Sequence, residues 1–169
     1  MGVKLAAPDR EVFAMVGDGS WLMMSSELVT ALQEGVKLVV VLIENGGYAS
    51  IGGLSESLGT EGFGTRHVRR RADGQPSGEP LRVDYVGSAR SLGVDAVRAG
   101  SIAELRDALA EACRSPRTTV IVIETDREAR VGGYGCWWDV PPAEVSSTPK
   151  VQAARRAYEE ARRKQRFYL

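Results

Sequence analysis

The sequence predicts an α/β fold in which an open, mostly parallel sheet is flanked by helices. Short apolar runs that suit buried strands alternate with segments whose apolar residues recur at helical spacing, and glycines end several of these segments. Such an alternation is typical of helices packed on a parallel sheet. With 169 residues and 43% hydrophobic content, the chain is long enough for one domain with a sizeable core.

The first strand–helix–strand unit is predicted near the N-terminus. Glu11–Val16 is a short apolar run followed by a glycine, as expected of a buried strand. The segment after it has apolar residues at helical spacing, namely Trp21, Met24, Leu28 and Leu32, and Gly35 closes this helix. Val36–Ile43 is a near-continuous run of β-branched residues and leucine, which indicates a strand buried on both faces.

A second unit is predicted after a long connection. Its elements are, in order, a helix over Asp84–Leu92 ended by Gly93, a strand over Val94–Val97, a helix opened by the capping box Ser101–Glu104, and a strand over Thr119–Glu124. The helix after the capping box should present one apolar face, made of Ile102, Leu105, Leu109 and Ala112. Both units together give the parallel sheet.

Two stretches fall outside this alternation. Gly52–Arg82 is rich in Gly, Ser, Arg and Glu and is too long for an idle connection, so we expect it to be functional or mobile. Val151–Leu169 has a charged helical pattern, and we expect it to lie on a surface or on a partner.

The charge and composition of the chain argue against binding to nucleic acid or to a membrane. The 22 Lys and Arg balance 22 Asp and Glu, so the chain lacks the electrostatic footprint of a protein that binds nucleic acid or an anionic membrane. No stretch approaches the roughly 20 apolar residues that span a bilayer, and no signal peptide is evident. We therefore expect a cytoplasmic protein with a small-molecule partner. Cys113 and Cys136 have no metal-ligand spacing and are expected to be reduced thiols.

Polar residues follow the two strands of the first unit. Asp18 and Asn45 come just past the ends of successive strands, where ligands bind in open α/β sheets. Gly17 and Gly19 allow a tight turn, and a helix beginning near Ser20 directs free N–H groups at the same place. An anion is the expected ligand.

The same segment offers oxygen ligands for a metal. The Asp18 carboxylate, the Asn45 amide oxygen and the Gly47 carbonyl oxygen are hard ligands, which suit Mg²⁺ or Ca²⁺. A helix N-terminus beside a hard cation indicates a diphosphate site.

The motif resembles that of thiamine-diphosphate enzymes. These enzymes share Gly-Asp-Gly followed after about 25 residues by Asn, and 25 residues separate Gly19 from Asn45 here. The resemblance implies a fold that binds thiamine diphosphate and Mg²⁺, with the metal held by Asp18, Asn45 and the Gly47 carbonyl. It also implies that Gly19 and Ser20 donate backbone N–H groups to the diphosphate, after the turn at Gly17. Tyr48 and Ile51 would pack against the middle of the cofactor.

Longer segments resemble one subfamily, the trihydroxycyclohexane-dione hydrolases of inositol breakdown. They are Glu44–Ser55, Leu58–Thr65, Cys136–Ser146 and the closing Lys164–Leu169. The resemblance implies that the ring of a cyclic 1,2-dione is opened by hydrolysis of a carbon–carbon bond. It also implies that the activating glutamate comes from a separate N-terminal domain, usually of a partner subunit. No catalytic residue is therefore expected in this chain, and a homo-oligomer is expected.

Members of this subfamily are several times longer than 169 residues, so we expect a chain that begins partway into its cofactor domain. Residues 1–130 would be a partial diphosphate-binding domain with a long loop at 52–82. Residues 131–169 would be an extension with a Trp-Trp-Asp-Val-Pro segment and the charged helix. A fragment, a truncated reading frame and one part of a split enzyme are all compatible with this organisation.

Other interpretations stay open. The chain could belong to an acetolactate-synthase-like enzyme, or it could be a non-catalytic α/β module that binds a nucleotide or a protein. His67 lies in an Arg-rich part of the long loop, which favours a solvated or anion-contacting residue over a catalytic one. Trp137 and Trp138 could line a substrate pocket, but we favour packing at an interface.

Overall fold

The computed structural model of the chain describes residues 1–130 and 140–166. Its strands are β1 (Phe13–Gly17), β2 (Val39–Glu44), β3 (Asp95–Ala99) and β4 (Thr119–Glu124). Its helices are α1 (Gly2–Ala6), α2 (Asp18–Met24), α3 (Glu27–Gln33), α4 (Ala49–Ser57), α5 (Tyr85–Ser91), α6 (Ile102–Arg114) and α7 (Pro149–Lys164).

The four strands form one parallel sheet in the order β1-β2-β4-β3. This confirms the predicted α/β class. The two central strands, β2 and β4, are buried on both faces through most of their length, as their continuous β-branched runs predict. The bounds of β4 match the prediction, whereas β2 begins three residues later than predicted. Before it, Thr118 Oγ1 accepts from the N–H of Leu38 and donates to the Val36 carbonyl.

The prediction of one helix from Trp21 to Leu32 is wrong, because two helices cover this segment. The backbone changes from i→i+4 to i→i+3 bonds at Ser25 and Ser26, whose carbonyls accept from Leu28 and Val29. Serine competes for backbone hydrogen bonds and tolerates such a break. The break also changes which residues face inward: Trp21 and Leu28 are buried, whereas Met24 and Leu32 are exposed.

The core lies on both faces of the sheet. On one face, α2, α3 and α5 cover the strands, and Trp21, Leu28, Leu42 and Tyr85 are among the buried residues. The indole N–H of Trp21 donates to Ser88 Oγ at 3.1 Å, which ties α2 to α5. On the other face, α6 covers Val39, Ala99 and Ile121 with Ala112. The sheet therefore holds its carboxyl-end loops on a scaffold packed from two sides.

The predicted capping residues and apolar face of α6 are largely confirmed. Ser101 Oγ accepts from the Glu104 N–H at 3.1 Å, while the Glu104 carboxylate accepts from the Gly100 N–H at 2.8 Å. Leu105, Leu109 and Ala112 pack on the sheet. Ile102, which was expected on the same face, is instead 73% exposed.

The long segment after β2 has more structure than its composition suggested. Its first part belongs to α4, which ends at Ser57. Further on, backbone bonds pair Arg69 with Glu79 and Gly78 and join the Leu81 N–H to the His67 carbonyl. The mobility of residues 52–82 stays a prediction.

The charged C-terminal helix is confirmed as α7, with Val151 and Tyr158 buried. Cys113 is free and exposed. Cys136, Trp137 and Trp138 lie outside the described residues, so the interpretations that concern them stay predictions. No helix in the described part of the chain is long and apolar enough to cross a membrane.

Candidate functional site

The predicted site residues converge at the carboxyl ends of β1 and β2. Gly17 lies opposite Ile43 in the parallel register, so the chain leaves both strands at the same edge of the sheet. Asp18 follows β1 directly, and Asn45 follows β2 directly. The sequence-based expectation that these two residues meet is therefore confirmed.

Asp18 is fully buried and accepts hydrogen bonds from four backbone N–H groups. Its Oδ1 accepts from Gly19 at 2.9 Å. Its Oδ2 accepts from Asn45, Gly46 and Gly47 at 3.2, 2.8 and 3.0 Å. A buried carboxylate needs such compensation. Asp18 therefore joins the loop after β2 to the start of α2, a structural role that the sequence alone did not indicate.

The Asn45 amide group faces two other predicted metal ligands. One of its terminal atoms lies 3.2 Å from Asp18 Oδ1 and 2.9 Å from the Gly47 carbonyl oxygen. With the NH₂ group in that position, Asn45 donates to both. With its oxygen there, three oxygens converge, which is favourable only around a cation. Adjacent ligands of an octahedral Mg²⁺ ion lie about 3 Å apart when the Mg–O distance is about 2.0–2.1 Å. The three groups therefore fit a small hard cation.

The charge distribution also favours a cation. Burial raises the pKa of the Tyr85 hydroxyl, and the nearby carboxylates of Asp18 and Glu44 raise it further, so Tyr85 is neutral. Glu44 is paired with Arg98 at 2.7 Å. Asp18 has no cationic side chain within 4 Å among residues 1–130 and 140–166, and its charge is therefore available to a metal ion. Tyr85 is a site neighbour that sequence reasoning missed.

No cluster of three or more His, Cys, Asp or Glu side chains that could hold a metal occurs among the described residues. The set formed by Asp18, Asn45 and Gly47 is of another kind, because it has a single carboxylate with amide and carbonyl oxygens. Oxygen ligands of this type suit Mg²⁺ or Ca²⁺ rather than a transition metal.

Gly46 and Gly47 both require the conformational freedom of glycine. Their φ angles are +75° and +138°, which L side chains rarely adopt. A Cβ atom at Gly47 would also collide with the carbonyl oxygen of Thr65. On either side of Gly47, the Tyr48 N–H donates to the Thr65 carbonyl at 2.9 Å and the His67 N–H donates to the Gly46 carbonyl at 2.8 Å. The loop that carries the proposed ligands is therefore held against residues 65–67.

The anion side of the site is at the start of α2. Gly17 is the N-cap in an extended conformation, and Asp18, Gly19 and Ser20 form the first turn, two residues earlier than predicted. Ser20 is exposed there, where helix N–H groups lack intrahelical partners. The Gly19 N–H points at Asp18 Oδ1, so it would have to be shared with a diphosphate. The binding of a diphosphate by the backbone N–H groups of Gly19 and Ser20 stays a prediction.

The two residues expected to pack against the cofactor differ in environment. Tyr48 lies against Gly19, where an added Cβ would be 2.5 Å from Tyr48 Cδ1. Ile51, in the first turn of α4, is 60% exposed. Tyr48 is thus part of the site as built, whereas the role of Ile51 stays a prediction.

His67, expected to be solvated or to contact an anion, is partly buried, and its contact with an anion stays a prediction. Its ring meets Tyr48 edge to face, with centroids 5.7 Å apart and planes at 79°. Its Nδ1 is buried without a hydrogen-bond partner in the part of the chain that the structure describes. The packing arises because residues 65–67 run beside the loop after β2, where Gly47 and Arg66 form an antiparallel bridge. No local sequence pattern predicts this pairing.

Comparison with known families defines the class of protein. The family model described as "Thiamine pyrophosphate enzyme, C-terminal TPP binding domain" matches residues 1–123, and the chain belongs to this family. Among named relatives, the chain is 42% identical over 160 residues to a 3D-(3,5/4)-trihydroxycyclohexane-1,2-dione hydrolase of Geobacillus thermodenitrificans, covering 94% of this chain and 25% of that protein. The chain is also 41% identical over 155 residues to 3D-(3,5/4)-trihydroxycyclohexane-1,2-dione hydrolase 2 of Bacillus cereus, which covers 91% of this chain and 24% of that protein. The chain thus spans about a quarter of their length.

Solved structures agree on the fold. A thiamine diphosphate-dependent 4-hydroxybenzoylformate decarboxylase from Rhodococcus jostii RHA1 superposes with a TM-score of 0.59 at 26% identity, over 74% of this chain and 21% of that one. Benzoylformate decarboxylase from Polynucleobacter necessarius gives a TM-score of 0.58 at 22% identity, over 76% and 22% of the two chains. At 22% identity, the similarity to benzoylformate decarboxylase shows a shared fold and no more.

Proposed function

We propose that this chain is the C-terminal, cofactor-binding part of a thiamine-diphosphate- and Mg²⁺-dependent hydrolase. The enzyme would open the ring of trihydroxycyclohexane-1,2-dione at a carbon–carbon bond during myo-inositol degradation. The observation that carries the proposal is similarity to hydrolases of this name over more than nine-tenths of the chain. The convergence of Asp18, Asn45 and Gly47 supports the metal.

The chain's own residues would bind and orient the cofactor. Asp18, Asn45 and the Gly47 carbonyl would hold Mg²⁺, and the first turn of α2 would donate N–H groups to the diphosphate. Tyr48 would support the middle of the cofactor from its position against Gly19. When bound, thiamine diphosphate supplies an electron sink for the carbon–carbon bond that breaks.

The remaining parts of the reaction would come from outside residues 1–169. The glutamate that activates the cofactor is expected in an N-terminal domain of the same enzyme or of a partner subunit, within a cytoplasmic homo-oligomer. The cyclic dione would bind between the two domains. We therefore expect this chain to be inactive when it is alone.

A second thiamine-diphosphate activity is the strongest alternative. The 4-hydroxybenzoylformate decarboxylase shares the fold, but its 26% identity is well below the 42% of the named hydrolase. An acetolactate-synthase-like enzyme would share the metal ligands but would turn over a 2-oxo acid. A nucleotide-binding module without catalysis would need neither Mg²⁺-dependent thiamine diphosphate nor the dione.

A complementation assay tests the proposal. The purified chain is incubated with thiamine diphosphate, Mg²⁺ and the cyclic dione, first alone and then with the N-terminal region of the Geobacillus relative. We expect ring opening only after complementation. Turnover of a 2-oxo acid instead of the dione would favour the acetolactate-synthase-like enzyme. Turnover of the dione by the chain alone would refute the proposal that the activating glutamate lies in a separate N-terminal domain.

A further inference from the structure

A single carbonyl oxygen connects the proposed metal loop, which follows β2, to the segment that follows the neighbouring parallel strand β4. The Thr65 carbonyl accepts from the Tyr48 N–H at 2.9 Å. It also accepts from Nη1 of Arg127 at 3.4 Å, and Nη2 of the same guanidinium donates to Thr65 Oγ1 at 3.3 Å. Thr65 itself is only 8% exposed. Arg127, three residues after β4, thereby contacts the residue that holds Tyr48.

The bond to Tyr48 determines where the Gly47 carbonyl points. The C=O of Gly47 and the N–H of Tyr48 belong to one peptide group, which is planar and trans. Because the N–H is directed at Thr65, the carbonyl oxygen must point the opposite way. There it lies 2.9 Å from the Asn45 amide group, at the proposed metal position. The direction of this ligand is therefore set by Thr65.

Helix α4 is shaped to let Arg127 reach Thr65. A Cβ atom at Gly52 would collide with Nη2 of Arg127, and it would be 2.7 Å from Thr65 Oγ1. A glycine inside a helix costs about 1 kcal/mol relative to alanine. The close approach of the guanidinium explains why a glycine occupies this buried helical position.

Among the described residues, Arg127 has no ion pair to offset the cost of its partial burial. Burial, and then the charge of Arg66, lowers the pKa of its guanidinium. Its Nε is buried without a partner, and no carboxylate lies within 4 Å of it among the described residues. By contrast, Arg130 pairs with Glu56 at 2.7 Å, and this hydrogen bond raises its pKa. A partly buried cation with an unsatisfied donor is destabilising, which points to a functional reason for Arg127.

We propose that Arg127 is a positioning residue for the metal site: by fixing the Thr65 carbonyl, it fixes the direction of the Gly47 carbonyl. The inference rests on the proposed function, because this direction matters only if the Gly47 oxygen binds a metal. The hydrogen bonds that Arg127 donates to this region go to Thr65, so we infer that it acts on the Gly47–Tyr48 peptide through that residue.

The test compares two arginines that flank the same helix. Arg127→Met removes the donors to Thr65 at similar side-chain length, and Arg127→Lys retains one cationic donor. Arg130→Met is the matched control, since Arg130 also lies against α4, at Gly53, but does not contact Thr65. Gly52→Ala keeps the charge of Arg127 but pushes both its guanidinium and the Thr65 side chain, so it disturbs the same contact in case Arg127→Met fails to fold.

Two measurements on the 169-residue chain give the answer. Hydrogen exchange of the Tyr48 amide should accelerate about three- to tenfold in Arg127→Met and Gly52→Ala, less in Arg127→Lys, and not in Arg130→Met. Affinity for Mn²⁺ alone, measured by electron paramagnetic resonance, should fall in the same order.

The outcomes separate the two proposals. Unchanged Tyr48 exchange in both Arg127→Met and Gly52→Ala would overturn the positioning role, as would faster exchange with full Mn²⁺ affinity. If the wild-type chain and its complemented form bind no Mn²⁺, the proposed metal site itself is wrong, and the role of Arg127 falls with it.

Discussion

Replacing Asp18 removes a metal ligand and a structural acceptor at once, so its effect can be predicted in two parts. Hydrogen bonds to a charged group contribute about 1.5–3 kcal/mol each. Four backbone donors depend on the Asp18 carboxylate. Three of them share one oxygen, and those on the loop after β2 can regain water. We therefore expect Asp18→Ala to lower the free energy of unfolding by about 3 kcal/mol without any metal, well below the sum of the four bonds.

The second part of the prediction concerns the metal. Asp18→Ala should abolish Mg²⁺-dependent binding of the cofactor, because Asp18 is the only charged ligand proposed. Asp18→Glu should only weaken it, since it keeps the charge but must fit one more methylene into a fully buried position.

Urea unfolding in EDTA measures the first part, and calorimetric titration of thiamine diphosphate with Mg²⁺ into the complemented protein measures the second. Asp84→Ala is the control, because Asp84 accepts from the Gly87 N–H at 2.8 Å as a helix cap and is not one of the proposed metal ligands. It should cost about 1 kcal/mol and leave cofactor affinity intact. An Asp18→Ala protein as stable as wild type in EDTA would refute the structural role, and unchanged cofactor affinity would refute the metal assignment.

Three further predictions follow from the site and its surroundings. Gly19→Ala places a Cβ against Tyr48 and should weaken thiamine diphosphate binding about tenfold or more, whereas Gly17→Ala meets nothing within 4 Å and should bind normally; equal affinities would count against the role of Tyr48. Met15, 72% exposed on the edge strand β1, should promote self-association, so Met15→Lys should shift the chain toward monomer in sedimentation analysis; an unchanged distribution would exclude this face. Amides of residues 70–78 should exchange within seconds and slow when cofactor and the N-terminal region are added, and slow exchange from the start would show that this loop is not mobile.

The strands and the meeting of Asp18 with Asn45 could be predicted from the sequence because both follow from local pattern and parallel geometry. A β-branched run buried on two faces predicts a central parallel strand, and the ends of neighbouring parallel strands share one edge. The break at Ser25 could not be predicted in this way, since the apolar spacing continues through it. The switch to i→i+3 bonds leaves no trace in hydrophobic periodicity.

Helix α4 and the residues that hold the metal loop depend on contacts between distant parts of the chain. The sequence of α4 contains two adjacent glycines and three serines, which are poor helix formers, and Gly52 is explained by the close approach of Arg127 and Thr65. Thr65 and Arg127 are 62 residues apart and meet through tertiary structure. Their contribution becomes visible only when the direction of the Gly47–Tyr48 peptide is known.

Metal-dependent retention of thiamine diphosphate tests the proposed cofactor site most directly. Thiamine diphosphate is titrated calorimetrically into the chain complemented by the N-terminal region of the Geobacillus relative, with Mg²⁺ or with EDTA, and ATP is then added as a competitor. We expect binding that requires Mg²⁺ and that ATP does not displace. Equal binding in EDTA, or a preference for ATP over thiamine diphosphate, would contradict it.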